Sequence, residues 1–283
     1  MRFTNDAADI VLSVLDQSAA EFVSDGPWRW SSVMQNGVRM AVEASLDDCF
    51  LRLVHRLPAT PGMFIDTRLA LVKNNTLSAG VKLAISAEDN SLLLAADLVI
   101  LEESQLLNRF QWALDGLHDC RHLLNANGIG IDRIEPRRPA HECDVRDLLR
   151  ETPWEIEEQG PNDYSVMLDA ASSAVTRIHQ SDRGVELTVE FVRSTRIQET
   201  SHCALAKFLL TASNILRLAR AYAEDGDSGY TFGMKVILPA GPTAEEIDHA
   251  LGALSIAHRM CYRESAALLD ERTARNYLAV REI

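Results

Sequence analysis

The chain contains one order of predicted elements twice, and this duplication limits the possible architectures more than any other feature. Residues 112–117 (WALDGL) and 249–254 (HALGAL) occupy matching places in that order. Each segment follows a pair of apolar strand candidates, which in turn follow a short apolar helix candidate. The repeat spacing of roughly 135 residues is the size of a domain and exceeds that of solenoid repeats. The sequence therefore predicts two similar domains.

Each half is predicted to run helix, three strands, helix, two strands, helix. In the first half, apolar residues with helical spacing precede Asn36-Gly37, and alternating apolar residues flank this pair on both sides. Alternation around Asn-Gly is typical of a β-hairpin. Strands joined by tight turns pair antiparallel, and strands with one apolar face need helices on that face. We predict an α+β fold, with an antiparallel sheet and helices packed on one face of it in each domain.

The domain boundaries follow from composition. Residues 126–143 contain two glycines and two prolines, which is typical of a linker between a first copy at 1–125 and a second at 144–270. The last long helix has a capping-box sequence, with Thr243 three residues before Glu246. Residues 271–283 are predicted to be a weakly held polar tail.

Charge and cysteine content exclude several classes of function. The formal net charge of the 283-residue chain is −13 at pH 7, which disfavours binding to nucleic acid and to anionic membrane surfaces. No apolar run approaches the roughly 20 residues that span a bilayer. The five cysteines are widely spaced without a Cys-x-x-Cys pair, which argues against a disulfide framework. These features predict a cytoplasmic protein with no cofactor.

One cluster has the residue types of a metal site. His118 and His122 lie one helical turn apart, and Cys143 follows in the linker. Imidazole and thiolate ligands suit zinc. The catalytic glutamate of a His-Glu-x-x-His helix is missing, since Asp119 follows His118. A solvated histidine pair is the favoured interpretation. No catalytic motif is recognisable, and we predict that the protein is not an enzyme.

The order of elements resembles that of class I type III secretion chaperones and the related YbjN-like domains. The local features that carry the resemblance are Asn74-Asn75 late in the middle helix, the hairpin after it, and the final amphipathic helix. The resemblance implies a non-enzymatic protein that binds an extended client segment. Members of this group form homodimers, so a second copy in the same chain implies a monomer with an internal pseudo-dimer. It also implies a seam at the middle helices, formed by Leu71, Asn75, Leu77, Phe208, Leu210 and Ala212.

Three tryptophans are candidates for partner binding, because aromatic anchors are enriched at protein interfaces. They are Trp28 and Trp30 in the first copy and Trp154 in the second. The alternative is that these side chains fill the core or the seam. The leading hypothesis is a protein-binding module with a client segment as its partner. The alternatives are a structural scaffold without a client and a metal-binding protein that uses His118 and His122.

Overall fold

The computed structural model describes most of the chain. It covers residues 3–281 except 19, 34–38, 47–48, 58–65, 121–123, 126–127, 130–144, 171–172, 182–183, 227–228 and 240. The predicted linker at 126–143 lies almost entirely outside the described residues. So do the predicted metal ligands His122 and Cys143 and the Asn36-Gly37 turn.

Among its described residues, the first copy has three helices and a sheet of six strands. The helices are α1 (Phe3–Gln17), α2 (Thr67–Lys73), which continues into a 3₁₀ turn at Asn74–Thr76, and α3 (Glu103–Cys120). The strands are β1 (Val23–Gly26), β2 (Arg29–Val33), β3 (Arg39–Ser45), β4 (Phe50–Arg56), β5 (Val81–Ile85) and β6 (Leu92–Val99). A separate two-stranded ribbon follows, formed by β7 (Leu124–Asn125) and β8 (Gly128–Ile129).

The second copy has the same sequence of elements and one additional helix at its end. Its helices are α4 (Val145–Arg150), α5 (Glu199–Ile215), α6 (Ala244–Ala267) and α7 (Glu271–Arg281). Its strands are β9 (Ile156–Gly160), β10 (Asp163–Asp169), β11 (Ala174–Ser181), β12 (Gly184–Ser194), β13 (Arg220–Gly226) and β14 (Gly229–Leu238).

The two sheets have one topology. The strand order is β1-β2-β3-β4-β6-β5 in the first and β9-β10-β11-β12-β14-β13 in the second, with every pair antiparallel. The predicted α+β class with two similar domains is therefore confirmed. Each sheet has one strand more than the predicted order, because a short and largely exposed strand, β1 or β9, pairs at its outer edge. Such a strand has too few apolar residues for a clear alternating pattern.

Each core lies between a sheet and its long helix. Helix α3 packs on β6, β4 and β5, while α6 packs on β12, β14, β10 and β11. The buried face of α6 includes Ile247, Leu251, Leu254, Ala257 and Cys261, which recur at helical spacing. The predicted capping box is present at the start of this helix: Glu246 N donates to Thr243 Oγ1, and Thr243 N donates to Glu246 Oε2. Local sequence thus defines where α6 begins and which face it buries.

The copies meet through strands β5 and β13 and the middle helices α2 and α5, which contact one another. The contact is reciprocal. Lys82 of β5 donates to the carbonyl oxygens of Leu216 and Ala219, just before β13. Arg220 of β13 donates to the carbonyl oxygens of Leu77, Ser78 and Val81, at the start of β5. Each sheet therefore places a buried cation in the helix-to-strand loop of the other copy.

The long helices carry a second contact with the same symmetry. Arg109 of α3 donates to both carboxylate oxygens of Glu246 of α6, at 2.8 and 3.0 Å. The alignment of 112–117 with 249–254 makes these two positions equivalent. Contact between equivalent positions is what a twofold-like axis produces, since residues on the axis meet their own counterparts.

The C-terminal segment differs from its prediction. Residues 271–281 form helix α7 rather than a weakly held polar tail, and this helix packs on α5. Its Ala274 is fully buried, and the Tyr277 ring meets the Phe208 ring edge-on, with 6.2 Å between centroids. The tail looked unstructured because α7 buries few apolar side chains, so its periodicity is weak. None of the described helices is long and apolar enough to span a bilayer.

Candidate functional site

An open, mainly apolar groove of about 700 Å³ runs along helix α6. We call it the α6 groove. Its residues come from α6, from the end of α5 and the loop after it, and from two aromatic side chains outside these elements. They are Phe50, Trp154, Ile215, Leu216, Arg217, Asp248, His249, Gly252, Ala253, Ile256 and Met260. A groove of this size is within the range of ligand sites, and its apolar surface is the part that would favour burial by a partner.

Three large apolar side chains in the α6 groove are exposed to solvent. Ile215, Ile256 and Met260 have 59%, 54% and 48% of their surface accessible. Single exposed apolar residues are common, but here they share one concave surface. Their proximity makes the groove the strongest candidate for a binding site among the described residues.

Trp154 closes one end of the groove. Its indole Nε1 donates to Asp248 Oδ1 at 2.7 Å, which fixes the partly buried ring against the start of α6. The Phe50 and His249 rings meet edge-on nearby, with centroids 5.8 Å apart. These contacts give the end of the groove a defined aromatic lining. A tryptophan held in this way can offer apolar area to a partner with little loss of side-chain entropy.

The first copy has a charged residue at the position of Ile256, one of the exposed apolar residues that line the groove in the second. The repeat alignment places Gly252 opposite Asp115 and Ile256 opposite Asp119. Both aspartates are on α3, which has the same place in the fold as α6. The fold therefore accepts a carboxylate at the position of Ile256, so an apolar side chain is not required there for folding.

A buried charged cluster adjoins the α6 groove through Arg217. The Asp97 side chain is fully buried and accepts from Arg52 Nε at 2.5 Å and Lys82 Nζ at 2.6 Å. Arg217 NH1 lies 3.6 Å from the same carboxylate, and Leu218 N donates to it at 3.0 Å. One carboxylate of the first copy thus holds the segment of the second copy that forms the groove wall.

The cluster shifts the pKa values of its members. Burial by itself would raise the pKa of Asp97, but attraction to Lys82 and Arg52 outweighs it and keeps this pKa below the ordinary range. Burial lowers the pKa of Lys82 to about 7, and repulsion from Arg52 and Arg217 acts in the same direction against the attraction of Asp97. Three cations share one carboxylate, so the lysine is the member that loses its proton most readily.

This shift predicts a pH dependence of stability. The pKa of Lys82 is lower in the folded protein than in the unfolded chain, so between pH 7 and about 10 the unfolded state binds more protons. Stability from this group therefore increases as the pH rises. We expect the difference in unfolding free energy between wild type and Lys82→Met to grow by roughly 2 kcal/mol from pH 7 to pH 9. Urea melts of both proteins measure it, and a constant difference would contradict the shift.

The predicted partner-binding tryptophans do not come together in one site. Trp154 lines the α6 groove. Trp28 is 38% exposed at the β1–β2 turn, and Trp30 is buried in the core. Their rings meet edge-on with 6.2 Å between centroids, and neither lines the groove. The interpretation of Trp30 as a core residue therefore fits its position, because it belongs to the buried hydrophobic core.

The residues predicted for the seam occupy several environments. Asn75 crosses between the copies and donates from Nδ2 to the carbonyl oxygen of Ala223 at 2.6 Å. Phe208 is partly buried and contacts Tyr277 of α7. The other four are buried, namely Leu71, Leu77, Leu210 and Ala212.

Of the three predicted metal ligands, only His118 lies within the described residues. His118 is exposed at the end of α3, and its Nδ1 lies 3.8 Å from Asp119 Oδ1. Among the described residues, no group of three or more His, Cys, Asp or Glu side chains could hold a metal ion. His122 and Cys143 are outside that part of the chain.

Sequence reasoning missed most of the α6 groove. Ile215, Ile256 and Met260 have no chemical signature that separates them from ordinary apolar residues of strands and helices. A usable signal was present in the repeat, since Ile256 aligns with Asp119 and Gly252 with Asp115. Where an apolar residue of one copy aligns with a charged residue of the other on the same helix face, that position is exposed and does not belong to the core.

Comparisons with known proteins add little to this description. No family model matches the chain, and no curated protein matches it. Among solved structures, it is similar to the di-domain ARO/CYC StfQ from the steffimycin biosynthetic pathway, at 10% identity and a TM-score of 0.15 over 99% of this chain and 96% of that one. It is also similar to DynU16, a protein from the dynemicin biosynthetic locus, at 14% identity and a TM-score of 0.14 over 95% of each chain. Likenesses this weak carry no argument about function.

Proposed function

We propose that this chain is a non-enzymatic protein-binding module that captures a segment of a client protein in the α6 groove. The observation that carries the proposal is the exposure of Ile215, Ile256 and Met260 in one groove, together with Asp119 of the first copy at the position of Ile256. If folding does not require these apolar side chains, their exposure needs another explanation. Contact with a partner is the most direct one.

The resemblance to class I type III secretion chaperones and YbjN-like domains is part of the same proposal. It is supported by the order of elements in each copy and by the middle helices that contact one another between the copies. In this interpretation the second copy replaces a partner subunit. The proposal includes a cytoplasmic location, which the net charge and the four described, unpaired cysteines support.

The test compares binding by the wild type and by a variant that copies the first domain. Ile256→Asp introduces the residue type found at the equivalent position, Asp119, and should leave the fold intact. We expect the wild type to bind a subset of an immobilised library of random peptides about 15 residues long, and Ile256→Asp to lose at least about tenfold in affinity for them. Val280→Asp changes another exposed apolar residue outside the groove, on α7, and should bind like the wild type.

Two outcomes would contradict the proposal. One is that the wild type binds no peptide above background, which favours a scaffold without a client. The other is that Ile256→Asp and Val280→Asp weaken binding equally, which means that the peptides do not bind in the groove. Circular dichroism of each variant shows that a loss of binding is not a loss of fold.

The internal pseudo-dimer also predicts the oligomeric state. The surfaces that a second subunit would cover are already in contact within one chain, through β5, β13, α2 and α5. We expect light scattering at low micromolar concentration to give the mass of a monomer, 31.4 kDa. A tight dimer at that concentration would contradict this arrangement.

A further inference from the structure

The solvent side of α6 has acidic residues near its start, small or apolar residues in its middle and basic residues near its end. Neighbouring members of this set are three or four residues apart, which places them on one side of the helix. We call this set the outer α6 face, and its members are Glu245, Asp248, Gly252, Ile256, Arg259 and Arg263. Because Asp248, Gly252 and Ile256 also line the α6 groove, the outer α6 face continues the groove along the helix in both directions.

The exposed charges of this face are not used within the chain. Among the described residues, neither Arg259 nor Arg263 forms an ion pair with a carboxylate, and Glu245 forms none with a cation. Both arginines precede the last turn of α6, where the helix dipole has little effect on them. The described positions of α3 that correspond to this face are polar or acidic, namely Asn108, Gln111, Asp115 and Asp119. The pattern therefore belongs to the second copy, and its charges are available to another molecule.

The outer α6 face is complementary to a second copy of itself that runs in the opposite direction. Glu245 and Arg263 lie nine residues before and after Leu254, and Gly252 and Ile256 lie two residues before and after it. Two antiparallel α6 helices that pass each other at the level of Leu254 therefore place each Glu245 opposite Arg263 of the other molecule. The same register places each Ile256 opposite Gly252. A twofold axis requires this reciprocity, because residue i of each molecule then meets residue j of the other.

The surroundings of these positions suit the side chains that this register brings to them. A Cβ atom added at Gly252 would meet nothing within 4 Å, so this position has room for Ile256 of another molecule. Arg259 of that molecule would reach the end of the groove that contains Asp248 and the Trp154 ring. A carboxylate and an indole ring both attract a guanidinium group. Antiparallel helices also place opposite ends of their dipoles side by side.

We infer that the α6 groove also binds a second copy of this chain, through antiparallel pairing of the two outer α6 faces. This inference does not depend on the proposed function, because it uses only the pattern of the face. One pair of helices covers less than the roughly 1,200–2,000 Å² of stable interfaces, so the pairing is reversible, with a dissociation constant of about 0.1 mM. The chain therefore remains a monomer at low micromolar concentration. A client in the groove and a second copy exclude one another, so pairing covers the exposed apolar residues of chains without a client.

Sedimentation velocity of the full chain, from about 5 to about 500 µM in about 0.05 M salt, tests the pairing. We expect the average mass of the wild type to rise from 31.4 kDa toward twice that value. Glu245→Arg and Arg263→Glu each place like charges opposite one another, so each should weaken the association by about tenfold or more. The variant with both changes has opposite charges in register again and should associate like the wild type. Parallel pairing would not give this recovery, since it places each residue opposite its own copy.

Further variants locate the contact and control for charge. Gly252→Leu fills the space that would receive Ile256, so it should weaken the association by about tenfold or more without changing the charge. Arg275→Glu makes the same charge change as Arg263→Glu at an exposed position of α7, and it should associate like the wild type. In about 0.5 M salt the differences among the charge variants should shrink, because exposed charges are screened. Circular dichroism confirms that each variant is folded.

The outcomes separate this inference from the proposed function. A mass that stays at 31.4 kDa up to about 500 µM overturns the inference, and so does association that Glu245→Arg leaves unchanged or that the double variant fails to recover. A library peptide whose binding is lost in Ile256→Asp should return the mass to that of the monomer, and an unchanged mass at saturation would overturn the shared groove. Pairing without peptide binding supports this inference and contradicts the proposed function. Peptide binding without pairing does the reverse.

Discussion

Replacing Asp97 with alanine is expected to reduce the free energy of unfolding by about 3–5 kcal/mol, the effect of breaking a buried ion pair. The change removes the carboxylate that Arg52, Lys82 and Arg217 share, and leaves the buried side chains of Arg52 and Lys82 without their common counter-charge. It also removes the acceptor of Leu218 N in the other copy. Urea denaturation at pH 7 measures the loss.

The matched control is an exposed aspartate with an arginine partner. Asp147 pairs with Arg150 at the surface, and Asp147→Ala should lower stability by no more than about 1 kcal/mol. Adding Arg52→Met to Asp97→Ala should recover part of the loss, because it removes the buried cation that cannot lose its proton. A loss below about 1 kcal/mol for Asp97→Ala would mean that water or rearrangement compensates these charges.

Replacing Arg220 with methionine is expected to destabilise the protein by about 3 kcal/mol or more. The buried guanidinium donates to three carbonyl oxygens of the first copy, and methionine fills much of the same space without a donor. The Ser78 carbonyl keeps its hydrogen bond from Val81 N, and each buried carbonyl that loses its partner costs about 1–3 kcal/mol, part of which is recovered by relaxation. Denaturant melts of the variant measure the effect.

The control for Arg220 is an arginine that contacts its own copy at the surface. Arg193 is exposed on β12 and pairs with Glu190, so Arg193→Met should change stability by less than about 0.5 kcal/mol. Equal effects of the two substitutions would show that the contact between copies contributes nothing specific. A larger effect of Arg220→Met supports a seam in which each edge strand binds the loop of the other copy.

Most of the fold followed from local patterns in the chain. The repeat of segment 112–117 at 249–254 predicted two similar domains, because two stretches with the same order of elements can fold in the same way. Alternation on both sides of Asn36-Gly37 agrees with the antiparallel pairing of β2 and β3. The capping box at Thr243 marked the start of α6. Each of these signals depends on residues near one another in sequence, so no tertiary information was needed.

The candidate site followed from sequence only in part. Trp154 was recognisable as an aromatic anchor, but its partner in the hydrogen bond, Asp248, is almost a hundred residues away. Ile215 and Ile256 become a surface only when the end of α5 lies beside α6. An apolar residue has the same helical spacing whether its neighbours cover it or not, and burial is a property of the packed elements.

The chain by itself determined two α+β copies, the extent of the buried helix face at Ile247–Cys261, and an acidic surface, because these depend on periodicity, composition and charge. The tertiary structure alone decided how the copies meet, that Lys82 and Arg220 reach into each other's loops, and which apolar residues stay exposed in the α6 groove. Such contacts join residues more than 130 positions apart, and their energies depend on distance and desolvation that no local pattern contains.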